Sequence, residues 1–185
     1  MKQLYTYIAL AMIALTTLTG CEREHDVMDR REARVLEGTW TGQIETYYYD
    51  RWGLTGDSYR TTMYFCCEDP EVNPYGGWGY EVDYNMYSRY NDYYYCEFYW
   101  EVYKGEIRIS YADSWNDVYI YDYSLSDRYF DGYMDDGTNR DIVFHLNYDD
   151  RFDWSYWRRS PTRMSGDAPS AVASGVFSTP EVGGE

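Results

Sequence analysis

Cys66, Cys67 and Cys96, together with His25 and His145, are the side chains away from the N-terminal leader that offer a nucleophile, a general base or a soft metal ligand. A thiolate nucleophile needs a base within hydrogen-bonding reach, and a zinc centre needs four converging ligands. His25 lies near the N-terminus and His145 on an outward strand position, so neither chemistry is expected and His145 reads as a surface histidine. Asp131, Asp135, Asp136, Asn139 and Asp141 surround Gly137 and supply oxygen ligands of the kind calcium takes. Met134 stands where an EF-hand loop needs oxygen, so the stretch reads as an acidic hairpin turn. Carboxylate pairs of the kind a glycosidase uses cannot be singled out in a chain with 32 acids. No nucleophile elbow and no phosphate-cradling glycine loop occurs. What remains is aromatic: Tyr and Trp rings stack on sugars while neighbouring carboxylates accept hydroxyl protons. Trp52, Tyr75, Trp78, Tyr90 and Trp115 fall in expected loops and offer such a surface. The plainer reading is that tyrosine simply fills strand positions. No catalytic residue, metal or cofactor is assigned, and the chain is expected to bind and not to catalyse.

The elements that position these residues follow from composition. Residues 22–37 are charged, with Val27, Met28, Ala33, Val35 and Leu36 at roughly helical spacing, and predict a short helix. Residues 38–159 hold all seven tryptophans and every tyrosine except Tyr5 and Tyr7. Aromatics suit a pleated, half-buried surface. Strand-like runs recur near 39–49, 58–67, 78–87, 93–103, 106–112, 117–124, 126–134 and 140–148. Turns are expected at 52–57, 69–77, 88–92, 104–105, 112–116, 124–126 and 135–137, of which Lys104-Gly105 is the clearest tight hairpin. Eight antiparallel strands with short connections suit an up-and-down β-barrel, which leaves no exposed edge; a two-sheet β-sandwich is the alternative. Residues 160–185, rich in Ser, Gly, Pro and Ala with Phe177 as their one aromatic, are expected to be disordered.

Alternation assigns faces. Cys96, Phe98, Trp100 and Val102 share one side of the fourth strand, Ile107, Ile109 and Tyr111 of the fifth, and Ile142, Phe144 and Leu146 of the eighth. These sides should point inward, because unpaired charge is costly to bury. Trp40, Phe98, Trp100, Ile109, Ile120 and Phe144 then form an inward set that could line an apolar cavity of the size an eight-stranded barrel holds. Outward tyrosines should form cross-strand pairs. A bridge from Cys66 or Cys67 to Cys96 would need their strands adjacent, but a strict meander puts a third strand between them. Their Cα atoms would then be about 10 Å apart, beyond the roughly 7 Å limit. Either the thiols are free or the strand order is not a simple meander.

Charge excludes one class of partner. The net charge is −16, and removing residues 1–20 takes away Lys2 and no acid, leaving Lys104 as the one lysine. Nucleic-acid binding needs Lys and Arg to displace counterions, so it is not expected.

Two resemblances add to this. Lys2, the apolar run Ile8 to Leu18 and Leu18-Thr19-Gly20-Cys21 resemble the signal peptide and lipobox of a bacterial lipoprotein. The run is shorter than the roughly 20 residues that span a bilayer. The resemblance implies removal of 1–20, acylation of Cys21 and a domain tethered in the cell envelope, on the periplasmic or surface face of the outer membrane. Gly38-Thr39-Trp40, after a short helix and at the start of the first strand, resembles the Gly-x-Trp signature of lipocalins and related calycin barrels. It implies that Gly38 lets the chain enter the barrel, that Trp40 plugs one end, and that Arg158 or Arg159 stacks over it. Ser124 to Gly132 resembles a late strand of lipocalin-like bacterial lipoproteins. Together these predict 1–20 as signal peptide, 21–37 as lipidated segment and helix, 38–159 as barrel and 160–185 as tail. The expected role is binding of a small apolar molecule or a glycan, with Trp52, Trp78, Phe98, Trp100 and Trp115 as contact residues. The alternative is docking onto another envelope component through the tyrosine-rich surface.

Overall fold

A computed structural model describes residues 26–67, 69–86, 93–112 and 116–155. Helix α1, over residues 26–36, leads into eight strands: β1 (Gly38–Asp50), β2 (Gly53–Cys66), β3 (Gly76–Asn85), β4 (Tyr93–Tyr103), β5 (Glu106–Tyr111), β6 (Val118–Leu125), β7 (Tyr129–Asp135) and β8 (Asp141–Tyr148). They form a closed antiparallel barrel in sequence order. The β1–β8 ladder, from Trp40 opposite Tyr148 to Tyr47 opposite Asp141, closes it. A sandwich is thereby excluded, and the architecture is lipocalin-like. The signal segment, Cys21, Tyr90, Trp115, Arg158, Arg159 and the 160–185 tail lie outside the described residues.

Helix α1 closes one end. Asp29, Ala33 and Leu36, spaced i, i+4, i+7, form its buried stripe. Val27 and Met28 are exposed, so a carboxylate takes the place the apolar periodicity would give to them. Asp29 accepts the backbone N–H groups of Lys104 (2.8 Å) and Gly105 (3.0 Å). These two residues form the β4–β5 turn with φ of 55° and 77°, as a primed hairpin turn requires. The Tyr123 hydroxyl donates to Glu32 Oε2 at 2.7 Å, and Trp40 Nε1 donates to the Leu36 carbonyl at 2.7 Å. Helix, hairpin turn and first strand are thus held together by polar contacts over an apolar floor.

The predicted inward faces of β4, β5 and β8 are buried, as are Trp40, Ile44, Met63, Phe65, Ile120, Phe130 and Met134. Each fully buried large apolar side chain stabilises the fold by about 1.5–3 kcal/mol. Two loop expectations are corrected. Residues 53–57 belong to β2, leaving Arg51 and Trp52 as the turn, and β3 begins at Gly76. Because β8 pairs with β1 only to Tyr47, and β3 with β2 only to Tyr59, the ribbon between them projects past the rim opposite α1.

Candidate functional site

Three surfaces present chemistry: the barrel interior, the outer wall over β3–β5, and the tip of the β1–β2 ribbon.

Near α1 the interior is filled by its own rings. Phe65 packs on Phe98 (centroids 5.3 Å), Trp100 (5.4 Å) and Phe130 (6.5 Å), and Phe130 packs on Phe144 (4.6 Å) and Trp40 (5.8 Å). Phe98 and Trp100, expected to face a ligand, face each other's neighbours instead. Trp40 sits at the helix end, with Tyr148 against it at 5.4 Å. The ring of Tyr148 lies where a side chain at Gly38 (φ +128°) would start, 2.6 Å from an added Cβ.

Further along, the interior turns polar because β3 is inverted. Glu81 pairs with Met63 and Cys96, and Asp83 with Thr61 and Tyr94, which puts both acids on the inward face. Glu81 is fully buried and Asp83 2% exposed. Thr61 Oγ1 donates to Asp83 Oδ1 at 2.6 Å, and the Tyr111 hydroxyl donates to Glu81 Oε2. Glu81 Oε1 accepts no hydrogen bond from an N–H or O–H group among the described residues. Burial, then the charge of Asp83, pushes the Glu81 carboxyl well above the usual carboxylate range. Burial, then Glu81, likewise pushes the Tyr111 phenol well up. This pair carries no signal in a strand whose alternation would turn its aromatics inward. A glycosidase role does not suit it, since no substrate reaches a carboxyl buried this completely.

The aromatics displaced from the interior build the outer wall. Trp78 contacts Tyr80 (4.9 Å) and Tyr64 (5.9 Å), and Tyr80 stacks on Tyr95 (5.8 Å). After β8 the chain returns across β1 so that Trp154, 6.0 Å from both Tyr64 and Tyr80, covers this wall and donates Nε1–H to Thr39 Oγ1 at 2.9 Å. Beside the cover lies a groove of about 410 Å³ lined by Trp78, Tyr80, Glu97, Tyr99, Ser110 and Ala112. Tyr99 is 63% exposed. Ser110 Oγ donates to Asp117 Oδ1 at 2.6 Å, which fixes that hydroxyl.

The sequence grouped Trp52, Tyr75 and Trp78 in loops as one surface; they lie in three places. Trp52 is 82% exposed at the ribbon tip, beside Tyr49 (83%) and Leu54 (62%), with the Arg51 guanidinium 5.1 Å from its ring. Trp78 is on the outer face of β3. Tyr75 is at the opposite end, where its hydroxyl contacts Asp26 and Arg30 of α1. Cross-strand tyrosine pairs do form, Tyr121 with Tyr133 (6.5 Å, stacked) and Tyr84 with Tyr93 (6.1 Å).

The remaining candidates are accounted for locally. Among the described residues Cys66, Cys67 and Cys96 form no disulfide. The meander puts β3 between Cys66 and Cys96, and alternation turns Cys96 inward and Cys66 outward. Burial, then Glu37, pushes the Cys67 thiol up to about 11, away from nucleophilic use. His145 is exposed, with Nδ1 3.1 Å from Asp131 Oδ1. In the acidic turn Asp136 bonds Thr138 and Arg140, and Asp135 caps Gly137. Among the described residues no three His, Cys, Asp or Glu side chains group to hold a metal. Comparison with protein-family models, curated proteins and solved structures finds no match.

Proposed function

We propose that this chain is a lipid-anchored, non-catalytic binding protein of the cell envelope, and that its ligand is a glycan held on the outer wall over β3–β5. The groove lined by Trp78, Tyr80, Tyr99, Glu97 and Ser110 carries the reading. Rings present apolar faces to the C–H face of a sugar, while a carboxylate and a hydroxyl beside them take its O–H groups. A small apolar ligand at the helix end has less support, since Phe65, Phe98, Trp100 and Phe130 fill that volume. The envelope address rests on Leu18 to Cys21. Four residues separate Cys21 from Asp26, the first described residue of α1, a reach of at most about 18 Å. An acyl group on Cys21 would therefore hold the helix end toward the membrane and leave the wall and ribbon free.

A glycan microarray probed with the purified lipoprotein, followed by titration of its best soluble oligosaccharide, tests the reading. Trp78→Ala and Tyr99→Ala should each weaken binding by about 1–1.5 kcal/mol, roughly five- to tenfold. Absence of any saturable glycan, or binding indifferent to both substitutions, overturns it. Mass analysis of the mature protein tests the anchor: an acylated N-terminal Cys21 is expected, and an unmodified one refutes it. A second reading is favoured by the ribbon tip, where Tyr49, Trp52 and Leu54 stand exposed together: docking onto another envelope protein, abolished by Trp52→Ala but not by Trp78→Ala.

A further inference from the structure

The buried acids of β3 lie outside the groove and have a consequence of their own. The groups facing Glu81 come from three strands besides its own. β2 contributes Thr61 and Tyr59, with Asp57 beyond; β4 contributes Cys96 and Tyr94; β5 contributes Tyr111. Val118, Ile120, Met134, Ile142 and Phe144 from β6, β7 and β8 are apolar and buried. Of the described cations, Arg140 acts on Tyr59 and is paired with Asp136, and Arg60 lies over the ring of Tyr84. Burial and the nearby charges push the Tyr59 phenol up to about 12, so it stays neutral.

Two adjacent carboxylates buried this completely cannot both stay charged in so dry a place. Tyr111 and Thr61 each satisfy one oxygen, and Glu81 Oε1 is left over. That oxygen is shut off from solvent, and a proton shared with Asp83 gives it a partner. We propose that Glu81 and Asp83 hold one proton between them at neutral pH, and that this proton is a built-in pH sensor for the half of the barrel remote from α1. Folding takes the proton from solvent, and raising the pH removes it and puts a second negative charge into the interior.

The sign follows from linkage. The folded carboxyl titrates well above the 4.5 of a free glutamate. The stabilisation is therefore complete below about pH 4.5 and is lost as pH rises toward the folded value. Within that window the folding constant falls about tenfold per pH unit. Asp136 is shifted below its ordinary 3.8, and Cys67, Tyr59, Tyr111 and Tyr123 above their ordinary 9–10, so they act outside pH 5–8. The window is clean for Glu81 among the described residues with shifted groups.

Denaturant unfolding of the full chain at pH 5, 6, 7 and 8 reads this, comparing the native protein with Glu81→Gln and with Glu106→Gln, an exposed acid that controls for net charge. The native protein and Glu106→Gln should lose stability with rising pH, about tenfold per unit more steeply than Glu81→Gln. Infrared spectra at pH 7 should contain the carbonyl stretch of a protonated carboxylic acid, read on the unmodified protein even where a variant fails to fold. Parallel pH profiles with no such band overturn the proposal. Stabilisation at pH 7 by Na⁺ or Ca²⁺ at constant ionic strength, without the band, also overturns it, because a metal ion would then occupy the proton's place.

Discussion

Replacing Asp29 with alanine should loosen helix α1 from the barrel at a cost of about 2–3 kcal/mol. The carboxylate is 5% exposed and accepts two backbone N–H groups, at 2.8 and 3.0 Å, from the turn that joins β4 to β5. Hydrogen bonds to a charged group contribute about 1.5–3 kcal/mol each. Lys104 and Gly105 are themselves exposed, so water re-solvates their N–H groups once the carboxylate is gone, which brings the pair below that sum, to about 2–3 kcal/mol. Asp29→Asn keeps one acceptor oxygen and should cost about half as much. Equilibrium urea unfolding supplies the free energies, and amide hydrogen exchange at Lys104 and Gly105 locates the effect. A loss below about 0.5 kcal/mol for Asp29→Ala, with exchange at the two turn amides unchanged, would refute the view that this side chain clamps helix to hairpin.

Two further substitutions probe closure and the acid limb of stability. A Cβ at Gly42 would sit 1.9 Å from the His145 carbonyl oxygen. Since backbone and not a flexible side chain is struck, Gly42→Ala should open the β1–β8 ladder and cost more than about 3 kcal/mol, seen as a collapsed thermal midpoint; a shift of only a degree or two would contradict it. Burial works to raise the Asp136 carboxyl, but hydrogen bonds from Thr138 and Arg140 outweigh it and hold the group below its ordinary 3.8. That stabilisation is present above pH 3.8 and is lost as the pH falls through the lowered folded value, so Asp136→Asn should cost about 1–2 kcal/mol at pH 7 and progressively less as the pH drops below 3.8; a loss that does not shrink in acid would count against it.

Strand alternation made β4, β5 and β8 legible because those strands have one apolar and one polar face, and their inward sets are the ones found buried. Errors came where one residue type serves two physical ends. Gly56 and Gly76 read as turn residues, yet both stand inside strands where another backbone passes, 2.2 Å from Thr46 O and 2.1 Å from Trp100 O for an added Cβ. In a tightly curved sheet glycine marks close approach as often as it marks a turn. The deeper miss is β3. Its alternation, Trp78, Tyr80, Val82 against Gly79, Glu81, Asp83, would turn the aromatics inward. The register with β2 and β4 turns them out, and Trp154, seventy residues on in sequence from Tyr84, comes back to cover them. No local pattern reveals a cover supplied from so far along the chain.

That inversion also decides where binding is to be sought. A barrel that keeps its rings inside advertises an interior cavity, and the inward set suggested one. Here the rings nearest α1 fill the interior, two acids occupy the next layer, and the rings of β3 are spent on the outside. Part of that outer layer is sealed by Trp154 and so is structural. The part beyond the seal is open, with Trp78 and Tyr99 flanking Glu97 and Ser110. Structural and binding roles can therefore be separated within one aromatic surface. Trp154→Ala exposes Tyr64 and Tyr80 and removes the Thr39 bond, so it should destabilise the fold. Tyr99→Ala truncates a ring already 63% in water and should leave the fold intact. If both substitutions lowered stability alike, the groove would be merely the edge of the cover, and the exposed ribbon tip would become the better candidate for the binding surface.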